Sequence, residues 1–423
     1  VRRGIGWLRW LPVPVAAVFA VLLALWDGRV ADFLSWNNSD LAALFVLSES
    51  LRHGVDHGDM VFGTYASYTT VGINLATGWL PGHRDVWEAW PILLSLAGVA
   101  LLAWGAWTLA GRWAGLVAGA VGVAASPPAL ETFIAQANHG PAYFSGCLLS
   151  ALLVLLATRR PTCRWVLAAA AATAAIVGAN LASDLLLLVG GVLPFIGAAA
   201  LIALRRPGRD TGLIAVVAGA TTALTLVVAV AFKALMEGIG LANSGTVLGQ
   251  PLSFEQRADF GGDAGHVIAN LFLLGNGRFL GEPVGIESVA GLALGGVALL
   301  VLGILGARLW TVARARRPDD DAPVGHELWT AYWGFTALAV ITVVWVLYLP
   351  APAGAGARYL PPVFLAGAAL IPVWAAGHRV REVIVGLLAA LFCVMSIVGL
   401  HTIATNGKSL AQSDGETLLA ELE

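Results

Sequence analysis

Several short stretches of the sequence combine residue types and spacings that could do chemistry. Asp40, in Trp36-Asn37-Asn38-Ser39-Asp40-Leu41, opens a stretch with helical spacing. A carboxylate at such a place can act as a general base, taking a proton from a hydroxyl nucleophile. An Asp in the first turn of a helix is also stabilised by the backbone dipole with no further role, and position alone fits both readings equally. A second group gathers Glu131, Gln136, Asn138, His139 and Tyr143 in the connection ETFIAQANHGPAYF. Glu131 or His139 could bind a substrate or orient a base, and the same residues also suit a Pro-bounded loop in water. A third stretch, GAGARYLPP, holds Arg358 and Tyr359. The planar guanidinium of Arg358 suits a phosphate, and the preceding glycines let a ligand approach the backbone; an arginine snorkelling to a membrane interface has the same look.

Two weaker patterns complete the set. His53, Asp56, His57 and Asp59 in RHGVDHGDM are of types that ligate a divalent metal, yet their spacing matches no metal motif, so the reading commits to no metal and no cofactor. Asn180 and Asp184 share a turn between two apolar segments. A carboxylate at membrane depth is a functional candidate by default, but the turn favours Asp184 as the N-cap of the next helix. Lys233 and Glu237, four residues apart, read as an ion pair. GxxxxGK[ST], HExxH and GxSxG are absent.

The elements that must position these residues follow from composition. Of 423 residues 58% are apolar and only 12% charged, about half the charged share of an ordinary soluble domain. The net charge of -2 and the lack of a basic block give nucleic acid no footprint. Cys147, Cys163 and Cys393 have no CxxC spacing, so they read as buried thiols rather than a disulfide framework or a zinc site. Lysine occurs only at Lys233 and Lys408, which with heavy Ala and Gly use suggests a GC-rich bacterial gene.

Apolar segments recur at 10–26, 90–110, 113–130, 141–158, 165–182, 185–204, 211–235, 287–307, 329–349, 359–377 and 383–403. Each is near the roughly 20 residues that a helix needs to cross a bilayer. A membrane barrel would instead show short alternating strands. The expected fold is an all-α polytopic membrane protein of about 11 transmembrane helices. The basic start followed by an apolar run resembles a signal peptide, but alternation of sides works only if this segment stays in the membrane.

Sixteen of the 24 basic residues fall in alternate, mostly short connections around Arg2–Arg9, Arg112, Arg159–Arg164, Arg205–Arg209, Arg308–Arg317 and Arg379–Arg381. The positive-inside rule then puts the N-terminus inside and the C-terminus outside. Only six of the 26 acidic residues share the inner side; the rest gather where the polar chemistry lies, facing outward. Trp residues at segment ends, among them Trp7, Trp113, Trp165 and Trp329, read as interfacial anchors.

Two outer loops are long, 27–89 and 236–286, a length uncommon without a function. In the first, Ser39 is a good N-cap and Leu41, Leu44, Phe45, Ser48 and Leu51 keep helical spacing, so an amphipathic helix on the outer surface is expected to run to Gly54. The second is expected to hold one short apolar helix. Residues 1–403 form one membrane domain on this reading. Residues 404–423 form an outer stub, with Asp414 capping a further helix, and read as the start of a soluble part.

A cytoplasmic start, one span, a long outer loop with an early Asp, and many further spans resemble the GT-C glycosyltransferase superfamily, in particular the protein O-mannosyltransferase and aminoarabinose-transferase-like group. The residues that carry the resemblance are Asp40 with the stretch to Gly54, HGPAYF at His139, and Arg358-Tyr359-Leu360-Pro361. The resemblance implies inverting transfer of a sugar from a polyprenyl-phosphate carrier to an acceptor glycan, lipid or protein, at the outer face of the plasma membrane. It makes Asp40 the base and Arg358 a lipid-phosphate contact, with Glu131, His139, Tyr143 and Tyr359 binding substrate. Many such enzymes carry Asp-Glu in the first loop, whereas Leu41 follows Asp40 here, which leaves metal use and acceptor class open. The rival readings are a secondary transporter and a non-catalytic membrane scaffold. The Ala/Leu/Val/Gly middles of the spans disfavour transport.

Overall fold

The computed structural model describes residues 6–26, 49–54, 61–62, 68–81, 83–126, 129–130, 139–239, 242–243, 260–276, 323–347 and 359–406, with the single residues 303, 306, 307 and 310. These residues form a helical bundle. A 3₁₀ turn (Leu8–Trp10) leads into α1 (Pro12–Leu25); α2 (Tyr68–Thr77), α3 (His83–Ala110) and α4 (Arg112–Val123) follow. Next come α5 (Gly140–Thr158), α6 (Arg164–Leu181), a π-helical turn (Leu188–Val192) continuing into α7 (Leu193–Arg205), and α8 (Arg209–Gly238). The last are α9 (Phe260–Leu274), α10 (Val324–Leu347), α11 (Pro361–Ala375) and α12 (Arg379–Asn406). Strand structure among the described residues is one two-residue parallel pairing, β1 (Val61–Phe62) with β2 (Ala242–Asn243), which ties the two long loops together.

Eight of the described helices are long and apolar enough to cross a membrane. Ten of the eleven expected segments coincide with described helices; 287–307 lies outside the description apart from single residues. Prolines open several helices, at Pro12, Pro141, Pro194 and Pro361, where their missing N–H costs nothing. Gly111 and Gly377, at φ 87° and 81°, make the tight turns from α3 into α4 and from α11 into α12, a backbone conformation that favours glycine.

The segment expected over 113–130 is shorter than its hydropathy suggested. α4 stops at Val123, about 18 Å of helix against a hydrocarbon core of about 30 Å. Pro127 and Pro128 follow three residues after the helix ends, and proline both removes a donor and disfavours helix at the residue before it. α9 fills part of this space. Its Leu271, Phe272 and Leu274 are buried, and Asn276 just beyond it donates to Phe392 O (3.1 Å) and Ser396 Oγ (2.7 Å), midway along α12. Ser396 in turn donates to Ala124 O (2.6 Å) at the end of α4. The apolar helix expected in the second loop is therefore sunk into the bundle.

α5 and α10 are the core helices. Of the α5 span 78% is buried, against 17% for α1 and 28% for α8, which face outward. Tyr332 of α10 donates to Gly146 O of α5 (2.7 Å), and Trp329 donates to Ala369 O of α11 (3.2 Å). Trp329 is thus wholly buried, and Trp113 is 6% exposed with its N–H on Arg9 O (2.9 Å); neither is an interfacial anchor, because each indole finds its acceptor inside the bundle. Trp7 and Trp165 remain exposed.

The connections sort into two ends. At one, Arg9 pairs with Glu382, Glu382 accepts the Gly377 N–H (3.0 Å), Arg206 pairs with Glu327 (2.7 Å), and His326 Nε2 meets Leu109 O (2.8 Å). At the other, Trp26 meets His401, with ring centroids 5.5 Å apart, and α2 meets the α6–α7 turn. These are the two sets that charge alternation separates. α8 ends at the second end and α10 begins at the first.

Candidate functional site

The N-terminal end of α5, the α6–α7 turn, α2 and the residue pair before α11 converge at the second end. His139 is the N-cap residue of α5, with Pro141 in the first turn fixing where the helix starts. Its Nδ1 lies 2.5 Å from Asp184 Oδ2, and both side chains are largely buried, 7% and 15% exposed. The other carboxylate oxygen, Oδ1, accepts the Leu186 N–H at 3.0 Å. Asp184 therefore does cap the following helix, as its place in the turn suggested, and holds His139 with its second oxygen. Both carboxylate oxygens of Asp184 are thus engaged, one by the turn and one by the imidazole.

Two aromatic rings flank the imidazole. Tyr359 lies 5.3 Å from it and Tyr143 6.1 Å, centroid to centroid. Both tyrosines are buried. Three of the expected site residues, His139, Tyr143 and Tyr359, are thus brought together from α5 and the start of α11, 220 residues apart in sequence at the extremes. Asp40, Glu131 and Arg358 lie outside the described residues. Of the quartet His53, Asp56, His57 and Asp59 only His53 is described; it is exposed and lies 3.8 Å from Glu49. The surface helix expected from Ser39 to Gly54 is seen over its last part, 49–52, ending at Gly54 with φ 65°.

Asn180 is the structural hub beneath the pair, a role that sequence reading did not assign. It is 4% exposed. Its amide donates to Ser145 Oγ (2.7 Å) and Pro141 O (3.2 Å), and its carbonyl accepts from Thr69 Oγ1 (2.6 Å). One turn on, Ser183 Oγ accepts the Tyr68 N–H (3.3 Å). Asn180 and Ser183 thus dock α2, from the first long loop, against α5 and α6. The only signal in the sequence is an uncharged amide and a carboxylate four residues apart where an apolar helix ends.

Below Tyr143 a narrow crevice of about 10 Å³ is lined by Tyr143, Gly146, Gly190, Trp333 and Pro362, among others. It sits where the π-helical turn widens the backbone between Asp184 and α7; π-turns cluster at functional sites. Among the described residues no three His, Cys, Asp or Glu side chains come together as a metal site. The three cysteines are free, with Cys147 and Cys393 buried and Cys163 partly exposed at the N-cap of α6. Lys233 and Glu237 pair at 3.7 Å.

No protein-family model and no curated protein matches the sequence. Among solved structures the chain is similar to an oligosaccharyltransferase from Archaeoglobus fulgidus, crystallised in complex with zinc and sulfate. The TM-score is 0.50 at 12% identity, over 89% of this chain and 52% of the archaeal one. The chain thus spans about half the length of that enzyme, and at this identity the likeness is one of fold. With eight described helices long and apolar enough to cross a membrane, the likeness shows a multi-pass helical fold of the kind that structure has.

Proposed function

We propose that the chain transfers a sugar from a polyprenyl-phosphate carrier to an acceptor on the non-cytoplasmic side of the plasma membrane, with inversion at the anomeric carbon. The observation that carries this reading is the convergence of His139, Tyr143, Tyr359 and Asp184 at the end of a GT-C-like bundle where the two long loops also meet. The neighbour's printed activity is glycan transfer, and the buried polar cluster is where such a bundle would place a reaction.

In the proposed reaction Asp40 takes the proton from an acceptor hydroxyl as its oxygen attacks the anomeric carbon. The bond from that carbon to the carrier phosphate breaks, and the electron pair leaves with the phosphate oxygen. Arg358, peptide-bonded to Tyr359, neutralises the charge that develops there. Glu131, His139, Tyr143 and Tyr359 hold the sugars. The zinc and sulfate belong to the archaeal structure. Residues 1–403 form the catalytic membrane domain in this reading.

The test is transfer of a labelled sugar from a synthetic polyprenyl-phosphate donor by the full chain in lipid nanodiscs. Asp40→Asn should lower the rate by about two to four orders of magnitude, the usual worth of a general base. Transfer by Asp40→Asn at the wild-type rate would remove the base assignment. A wild-type chain that binds donor without transferring it would make the scaffold reading the better one.

A further inference from the structure

We propose that the paired starts of α6 and α8 hold the headgroup of an anionic phospholipid. The two helices pack side by side and run in the same direction, away from the end of the bundle that carries the basic connections. Gly178 and Thr225 fix their register, since a Cβ on Gly178 would lie 2.7 Å from Thr225 O. At 1.5 Å per residue, these two positions lie about 21 Å beyond Arg164 and about 24 Å beyond Arg209. The two arginines therefore stand at nearly the same depth. Arg159 and Arg160 lead into α6 from the same end. All four arginines are exposed, and among the described residues none of them has an ion pair or a side-chain hydrogen bond.

Other arginines at this end behave differently. Arg9 pairs with Glu382, Arg206 pairs with Glu327, and the Arg381 guanidinium lies over the Trp374 ring, 4.8 Å from its centroid. Charge that only fixes topology can be satisfied within the protein in this way, whereas the four at α6 and α8 are left to whatever lies outside it. Asp210, exposed in the first turn of α8, is the neighbouring carboxylate, and four guanidiniums outweigh it. The first turn of α6 holds no acidic residue, and its N-cap, Cys163, makes no side-chain cap bond, so the N–H groups there add to the positive field. Beside the arginines, Trp165, Leu167 and Leu204 are exposed apolar side chains. Headgroup and tails thus have separate seats. Guanidinium forks take phosphate oxygens in pairs, and the apolar side chains lie against acyl chains. A soluble phosphate would use the first seat alone, so the occupant assigned is a lipid.

The test is native mass spectrometry of the full chain in detergent. It is titrated with phosphatidylglycerol, with phosphatidylcholine of the same acyl chains, and with glycerol phosphate as a headgroup without tails. The variants are Arg159→Gln/Arg160→Gln, Arg164→Gln/Arg209→Gln, the quadruple combination, Arg164→Lys/Arg209→Lys and Trp165→Ala/Leu204→Ala. Arg112→Gln, an exposed arginine at the start of α4, is the control, and thermal midpoints check that each variant is folded. Phosphatidylglycerol should bind wild type on the order of a hundredfold tighter than phosphatidylcholine. Each glutamine pair should lose on the order of tenfold, a basic residue beside an anionic lipid being worth about fivefold, and the quadruple variant should fall to the phosphatidylcholine level. The lysine pair, which keeps the charge and loses the fork, should lose less than the glutamine pair. Trp165→Ala/Leu204→Ala should weaken phosphatidylglycerol and leave glycerol phosphate unchanged, and Arg112→Gln should change neither. Equal affinity of wild type for the two lipids, or undiminished phosphatidylglycerol binding by the quadruple variant, would overturn the inference. So would a loss in Arg112→Gln as large as that of a glutamine pair, which would mean diffuse attraction, or glycerol phosphate binding as tightly as phosphatidylglycerol, which would mean a soluble phosphate. No readout involves sugar transfer, so this inference and the transferase reading stand or fall separately.

Discussion

His139 Nδ1 and Asp184 Oδ2 meet at 2.5 Å across 45 residues of sequence, and neither residue is more than 15% exposed. The contact closes the N-terminal end of α5 onto the turn between α6 and α7. It joins two elements that adjacent apolar segments alone would pack but not lock in register.

Removing the carboxylate should therefore destabilise the bundle. Asp184→Ala takes away both the partner of a buried imidazole and the cap on Leu186. Losing the buried hydrogen bond costs about 1–3 kcal/mol, and losing an N-cap about 1 kcal/mol. The expected outcome is a lowered thermal midpoint in detergent for Asp184→Ala, with Asp184→Asn, which keeps the cap, close to wild type. Equal midpoints for wild type and Asp184→Ala would show that the pair contributes nothing to the fold.

Asn180→Leu should act on a different element. The leucine removes the acceptor for Thr69 Oγ1 and the donor to Ser145 Oγ and Pro141 O. Ser145 Oγ keeps its bond to Pro141 O (2.8 Å), and each hydrogen bond lost contributes about 0.5–1.5 kcal/mol. Since Thr69 belongs to α2, the loss should appear as faster hydrogen exchange over 68–77, with α10 and α11 unchanged. Uniformly faster exchange across the bundle would mean that Asn180 supports the whole fold rather than the docking of α2.

Gly178 tests helix packing without touching the site. A Cβ built on it would lie 2.7 Å from Thr225 O of α8, and α6 and α8 approach this closely only because the residue is small. Gly178→Ala should cost about 1–3 kcal/mol by overpacking, read as a lower unfolding midpoint with normal transfer per folded molecule. A midpoint unchanged in Gly178→Ala would mean that α6 and α8 have room to separate.

Hydropathy made the long spans legible because a helix that meets lipid must be apolar over most of its length; the segments 211–235 and 383–403 fall inside the helices Arg209–Gly238 and Arg379–Asn406. It misled over 113–130, where Pro127 and Pro128 cut α4 short while the run of apolar residues continued. His139, Tyr143 and Tyr359 were identified from residue type and from where they fall along the chain, and they do converge. The pairing of His139 with Asp184 was not legible. Asp184 satisfies a local signal, the N-cap, so nothing in the sequence asked for a second partner 45 residues away. Asn180 was hidden in the same way, since an amide at a helix end needs no long-range explanation until α2 is seen against it.

The absolute orientation can be tested through a single thiol. Cys163 is a partly exposed cysteine among Arg159, Arg160 and Arg164, whereas Cys147 and Cys393 are buried within α5 and α12. The charge asymmetry assigns that connection to the cytoplasmic side, opposite the end that holds His139 and Asp184. A membrane-impermeant maleimide should therefore label the protein in inverted vesicles and leave it unlabelled in intact cells, and Cys163→Ser should abolish the signal. Labelling of Cys163 from outside intact cells would invert the topology. His139, Asp184 and both long loops would then face the cytoplasm, and a donor presented at the outer leaflet would have no access to them.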